Sequence, residues 1–251
     1  MSPLFSGLIT LACVLGGVAV GMWYAKRAPE HHLTKQSTDS VKVSMGLTAT
    51  MTALVLGLVT ASSKSSYDAE ESAVKQSAVL LLTLDRALAR YGPETHEIRD
   101  SLRSMVRQRY ERVWSSAPHG AFTTTRSTTG GEAIEGRIEA LTPQTDAQRR
   151  LQSKAIDISD ELLQARWVVS AGATSSVPKP FLIILVGWLT ILFMSFGLFA
   201  PRNATVVSAL FLCALSVSSA IFLILELNQP FAGLLRLSAE PIRFALTQLG
   251  Q

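Results

Sequence analysis

Cysteine and charge are both scarce in this 251-residue chain, and each shortage excludes something. The two cysteines, Cys13 and Cys213, lie in separate apolar runs. They offer no disulfide framework and no metal-ligand spacing, and they read as small buried residues. Charged residues are only 17% of the chain, where globular proteins carry roughly 25%, and mean hydropathy is positive at +0.29. The net charge of +4 does not form a basic patch. Residues 63–177 hold 15 Lys/Arg and 15 Asp/Glu, and the flanks hold the remaining 8 and 4. Nucleic-acid binding needs clustered positive charge on a folded surface, so it is set aside. Also missing are a Gly-rich phosphate loop, a nucleophile elbow and a zinc motif, which argues against an enzyme and leaves no cofactor implied. The adjacent pair His31 and His32 point in different directions and lack further ligands. His96 and His119 stand alone, on a helix turn and in a loop, so no metal site is expected.

What is present is long apolar runs. About 20 apolar residues rising 1.5 Å each cross a ~30 Å hydrocarbon core. Four stretches qualify: residues 4–25, 43–62, 181–200 and 204–227. The first ends in Trp23-Tyr24 and then Lys26-Arg27, the aromatic-then-cation order of a helix leaving a bilayer. It has no basic leader and its run is too long for a cleaved signal, so it is expected to stay as an anchor. The second span has no breaker before Gly92, so it is expected to continue as one helix to Tyr91, ~70 Å long from Val43 at 1.5 Å per residue.

Residues 63–177, between the two pairs of spans, read as a helical extramembrane stalk. Val74, Ala78, Leu81, Leu84 or Asp85, Leu88 and Tyr91 keep 3–4 spacing and stop at Gly92, a helix-ending residue. Pro93 opens a second helix, with Glu94 and Glu97 in its first turn and Ile98, Leu102, Met105, Arg109 and Val113 along one stripe. Residues 115–131 read as a long loop. Thr145 with Gln148 resembles a capping box for a third helix, with Leu151, Ile158, Leu162 and Trp167 inward. No strand pattern appears, so the fold class is an all-α polytopic membrane protein. Basic residues near the span ends number five on one side and six on the other, which gives no asymmetry for orientation. The cysteine-free block favours the cytoplasm.

Several residue sets invite a functional reading. In the second span Ser44, Thr48, Thr52, Val55, Val59, Ser62 and Ser63 share one face, with hydroxyls at the ends and valines between. A hydroxyl in hydrocarbon takes its own helix's carbonyl, a neighbouring helix or water as partner. The face is therefore either helix-packing surface or a pore lining with a dry valine constriction. Four spans enclose no water-filled pore alone, so the pore reading requires a symmetric ring of subunits. Arg99, Arg103 and Arg107 form a ridge at i, i+4, i+8, either solvated and paired with nearby acids or an anion-attracting wall. Glu226 ends the last span, either snorkelling to the interface or lining a vestibule. After it Pro230 stops the helix and Gly233 permits a turn. The leucine-rich tail of residues 228–251 suits the membrane interface or a docking site on a neighbour or the stalk.

Three stretches carry a resemblance: ALVLGLVTASSKSSYD (residues 53–68), LLTLDRALARYGPET (81–95) and ELNQPFAGLLRLSAEP (226–241). The most specific elements are Leu84-Asp85-Arg86, Tyr91-Gly92-Pro93-Glu94, and the tail's Pro230, Phe231, Gly233, Ser238 and Pro241. With the order of two spans, helical insert, two spans and tail, the chain resembles the bestrophin-like family of bacterial membrane proteins. The resemblance implies the layout of bestrophins, which are oligomeric anion channels of the membrane, with a cytosolic insert and the second span at the pore. The phenylalanine-rich neck and the acidic calcium-binding cluster of true bestrophins have no counterpart here, so no site residue carries over. The functional expectation is a ring-like homo-oligomer in the bacterial inner membrane, partnered by lipid, by itself and by permeating ions. The competing expectation is a non-conducting scaffold or sensor whose insert binds a cytosolic partner.

Overall fold

The computed structural model describes residues 3–27, 35–115, 128–172, 179–201, 203–231 and 233–251, and among them every regular element is helical. In chain order these are α1 (Pro3–Arg27), α2 (Lys35–Tyr91), α3 (His96–Tyr110), α4 (Thr128–Glu139), α5 (Asp146–Gly172), α6 (Lys179–Phe199), α7 (Ala204–Leu227) and α8 (Glu240–Gln248). Four of them, α1, α2, α6 and α7, are long and apolar enough to cross a membrane. The chain divides into two compact units.

The first unit comprises Met1–Ser66 and Ser176–Asn228. Its core joins Val14 and Val18 of α1, Val59 of α2, Leu185, Leu189, Leu192 and Phe193 of α6, and Ala214, Ile221 and Ile224 of α7. Glycines set the closest approach. A Cβ added at Gly17 would meet Thr190 O at 2.7 Å, and one added at Gly21 would overlap Met194 O and lie 2.9 Å from Leu198 N. Gly197 meets Val18 O in the same way from the other side. Gly17 and Gly21 are four residues apart, the small-xxx-small spacing that lets backbones touch where lipid supplies no hydrophobic drive. The contacts advance together along both helices, so α1 and α6 run in the same direction. Gly7, near the start of α1, faces Phe222, near the end of α7, so that pair is antiparallel. At the close of α7, Asn228 donates to Ser63 Oγ at 3.1 Å, so α2 leaves its apolar stretch where α7 ends.

The outer surface of this unit is greasy: Leu4, Leu8, Ile183 and Leu212 are all more than half exposed. Lipid removes that cost. Cys13 and Cys213 lie on this surface. They are not the buried residues the sequence suggested, because the 3–4 phase of α1 and α7 turns Val14 and Ala214 inward instead, both at 0% exposure. At the end of α1 the Arg27 guanidinium stacks 4.2 Å above Trp23, the expected aromatic-cation exit.

The second unit comprises Tyr67–Ser175 and Gln229–Gln251. Helix α2 runs on without a break for 57 residues, as its sequence implied, and stops where Gly92 takes a φ of 145°. A short 3₁₀ turn, Pro93–Thr95, reverses the chain, and the Thr95 hydroxyl donates to Leu88 O at 2.7 Å, satisfying a terminal carbonyl. The core is built from Leu81, Leu84 and Leu88 of α2, Ile98, Leu102 and Val106 of α3, Ile134 and Ile138 of α4, Ala155 and Ile158 of α5, and Ile242, Ala245 and Leu249 of α8. The α5 cap forms as expected, Gln148 N donating to Thr145 Oγ1 at 3.1 Å, although the Gln148 side chain returns to Gln144 N.

Two readings change. Residues 128–131, taken as loop, belong to α4, which is pinned by Ile134 and Ile138 and by Arg137 donating to Glu97 at 2.9 Å and to Ser101 at 2.8 Å. Residues 116–127 lie outside the described set, as do His31, His32, His119 and the side chain of Trp167. For the tail, the membrane-interface reading gives way to the stalk alternative: its helix is part of this unit's core. Its apolar residues at 242, 245 and 249 repeat every three or four positions, so one helical turn after another feeds the core. An apolar cavity of about 80 Å³ remains within the unit, bounded by Leu81, Leu84, Met105, Trp114, Leu162 and Ile242 among others.

Candidate functional site

Helix α2 presents two distinct faces. On one, Thr52, Val59 and Ser63 are covered by the chain's own atoms, at 3, 7 and 2% exposure. Val55 and Thr48 are half-buried, and Ser44 and Ser62 are exposed. Three of the seven residues read as a pore lining are thus covered by the subunit itself, and the other four are half-buried or exposed. Several hydroxyls of α2 find partners within the helix itself. Ser44, Thr48, Thr52 and Thr60 donate to the carbonyls of Ser40, Ser44, Thr48 and Leu56, four residues back, at 2.7–3.1 Å.

The other face carries Val43, Leu47, Met51, Leu54 and Leu58, spaced 4, 4, 3 and 4 and exposed by between 52 and 75%. Only 11% of the apolar window of α2 is buried, against 22–33% for the other three spans. It is the most peripheral helix of its unit. Sequence reading missed this stripe, although the signal was there: a second 3–4 repeat on the same helix, passed over in favour of the hydroxyl one.

The remaining candidates resolve as follows. Glu226 is 2% exposed, so it neither snorkels nor lines an open vestibule. The α3 ridge is broken up by pairing. Arg99 donates to both oxygens of Asp85, Nε to Oδ1 at 2.8 Å and Nη2 to Oδ2 at 3.0 Å, and to Gln251 O at 2.9 Å. Those hydrogen bonds from Arg99 to the fully buried Asp85 carboxylate push the guanidinium pKa up. Arg107 donates to Glu111 at 3.1 Å, and Arg103 lies beside Gly250. Only Arg103 and Arg107 remain exposed, so the anion wall on α3 is not formed. His96 is an exposed residue 3.5 Å from Asp100, and among the described residues no group of three possible metal ligands comes together.

The tail motif has a structural use. Pro230 O accepts from Leu237 N at 2.8 Å, closing a loop in which Gly233 takes a φ of 96°. Phe231 meets Trp114 edge to face at 6.2 Å, and Trp114 Nε1 donates to Leu237 O at 3.1 Å. Pro241 occupies the first turn of α8, where a missing N–H costs nothing. The tail thus ties to Arg99 near the start of α3 and to Trp114 just past its end.

Glu70, two turns past the apolar stretch of α2, is buried with Oε2 lacking a hydrogen-bond partner. Desolvation raises its carboxyl pKa above the ordinary 4.5. The folded state therefore holds its proton to higher pH than the unfolded chain does, so stability falls as pH rises through that window. The E70Q variant is expected to melt at a higher temperature than the parent at pH 7 and to show a smaller difference at pH 4. Thermal melts at both values check this, and an unchanged difference refutes it.

A family model described as bestrophin-like domain matches residues 12–242. No curated protein matches the sequence. Among solved structures, a bacterial bestrophin homolog from Klebsiella pneumoniae is 15% identical, with 98% of this chain and 96% of that chain covered and a TM-score of 0.69. A variant of the Klebsiella homolog carrying one mutation is 17% identical, with 99% and 97% covered and a TM-score of 0.68. A chain described as a membrane protein is 16% identical, with 98% and 96% covered and a TM-score of 0.69. At these identities the likeness is one of fold.

Proposed function

Because the chain belongs to the bestrophin-like family, we propose that it is a homo-oligomeric ion channel of the bacterial inner membrane, with α2 of each subunit around the axis and the insert in the cytoplasm. The observation that carries this reading is the uncovered apolar stripe of α2. Four helices enclose no pore by themselves, so a conduction path needs several subunits to share one helix face. The helix with most surface left to share is α2. Leu47, Met51, Leu54 and Leu58 make a better lining than the hydroxyl face, because their side chains stand outside the subunit. Rings of leucine form a narrow dry neck that conducts only when wetted.

Purified oligomer in planar bilayers is expected to conduct, and L58S or L54S to raise open probability or conductance several-fold by making the neck easier to wet. V59S, whose side chain packs inside the subunit, is expected to lower stability without a comparable gain in current. Silent bilayers with intact oligomers overturn the reading, as does a monomer or simple dimer in a native-like bilayer. The second reading, a non-conducting sensor whose insert takes a cytosolic partner, draws on the apolar cavity of the insert and would gain from silent bilayers.

A further inference from the structure

The apolar cavity of the insert draws its wall from every helix of that unit, α2, α3, α4, α5 and α8. Most of the wall is hydrocarbon. Leu81, Leu84 and Ile134 form a buried aliphatic part, and Tyr110 stacked on Trp114 at 5.8 Å gives an aromatic side. Among the described residues, three side chains without rings bring polarity to it: Ser77, Arg109 and Ser159.

These three differ in what they have left to offer a ligand. Ser77 Oγ donates to Ala73 O at 2.8 Å, the usual recourse of a serine inside a helix. Ser159 is also inside a helix and only 5% exposed, yet its hydroxyl makes no hydrogen bond among the described residues. A buried hydroxyl without a partner is destabilising, and a ligand that supplies the partner removes that cost. Arg109 is half-buried, and its guanidinium carries five N–H donors, more than one partner takes up. The cavity thus turns one hydroxyl and one cation toward its contents, within walls of hydrocarbon.

Size narrows the choice further. A cavity of about 150 Å³ takes a benzene ring, and this one is smaller, at about 80 Å³. It suits a narrow flexible chain better than a ring.

We propose that the insert binds a straight-chain fatty acid, its chain against Leu81 and Leu84 and its carboxylate held by Arg109 and Ser159. An ionised carboxylate only accepts hydrogen bonds, so it matches a hydroxyl donor and a guanidinium fork together. An amine of the same length would set a second cation beside Arg109. The site lies wholly within the insert, so it stands whether or not the spans conduct.

The test uses full-length protein in lipid nanodiscs and octanoate carrying a diazirine on its chain. Photolysis is expected to label Leu81, Met105 or Leu162, saturably and in competition with plain octanoate. R109Q removes a charge-assisted hydrogen bond and is expected to raise the half-saturating concentration roughly tenfold or more. The corresponding diazirine alcohol is expected to label the wild-type insert about as weakly as the acid labels R109Q. S159L fills the cavity and is expected to abolish labelling of the insert in protein that still melts cooperatively. Should S159L not fold, R109Q and the alcohol decide alone. Label confined to α1, α6 and α7 overturns the site, because it reports only partition into lipid. Insert labelling that is unchanged in R109Q and equal for acid and alcohol overturns it as well.

Discussion

G21A is expected to leave little folded protein. Its new methyl group would overlap Met194 O and approach Leu198 N at 2.9 Å, and both are backbone atoms of α6 that no side-chain rotation can clear. The helices must separate, which uncouples Gly17 from Thr190 and Gly197 from Val18 in the same motion. Overpacking of a core usually costs about 1–3 kcal/mol and more where backbone must move, so a loss of about 3 kcal/mol or more is expected. The paired control is G16A: one residue away, an added Cβ meets nothing within 4 Å. There the change removes a flexible residue from a helix and is expected to be neutral or to stabilise by up to about 1 kcal/mol. Melting temperature and monodispersity after detergent extraction separate the two. Equal behaviour of G16A and G21A would show that α1 and α6 do not make backbone contact.

D85A is the second large effect. Asp85 has no exposed surface, its side chain holds Arg99, itself only 13% exposed, and it accepts the Gly250 N–H at 3.4 Å. Removing one partner of a buried pair leaves the other charge uncompensated, at about 3–5 kcal/mol. R99M should cost a similar amount, because it strands the carboxylate. The double variant D85L/R99M should be less damaged than the sum of the singles, since neither charge remains. Hydrogen exchange supplies the structural readout: amides of α8 should lose protection in D85A, because Gly250 and Gln251 are tied to this pair. Additive single effects, or unchanged protection of α8, would mean that the pair does not hold the tail.

Most of the architecture was legible because it rests on length and period. Twenty apolar residues between polar flanks admit few structures, and the unbroken run from the second span to Gly92 admits one long helix. The tail was legible only as amphipathic. Its pattern at Ile242, Ala245 and Leu249 says that something covers one face, and the choice between lipid, neighbour and insert depends on contacts more than a hundred residues away. The α2 faces failed for a related reason. Periodicity separates two faces of a helix without saying which one its own chain covers, and the hydroxyls drew attention although Ser44, Thr48 and Thr52 are satisfied locally by a carbonyl four residues back. Arg99 shows the same limit: the ridge on α3 is real in sequence, and the acid that neutralises it sits on another helix.

The participation of the tail in the insert's core sets an order of events during synthesis. Leu88 emerges from the ribosome about 160 residues before Leu249, and at roughly 5–20 residues per second that interval lasts about 8–30 s. During it α6 and α7 must also enter the bilayer. Throughout, Leu84, Leu88 and Leu102 lack the helix that closes over them, and the Asp85–Arg99 pair lacks Gly250 and Gln251. The insert can therefore close its core only after α6, α7 and the tail have been synthesised. A nascent chain that stalls before residue 240 displays an open apolar groove to chaperones and proteases.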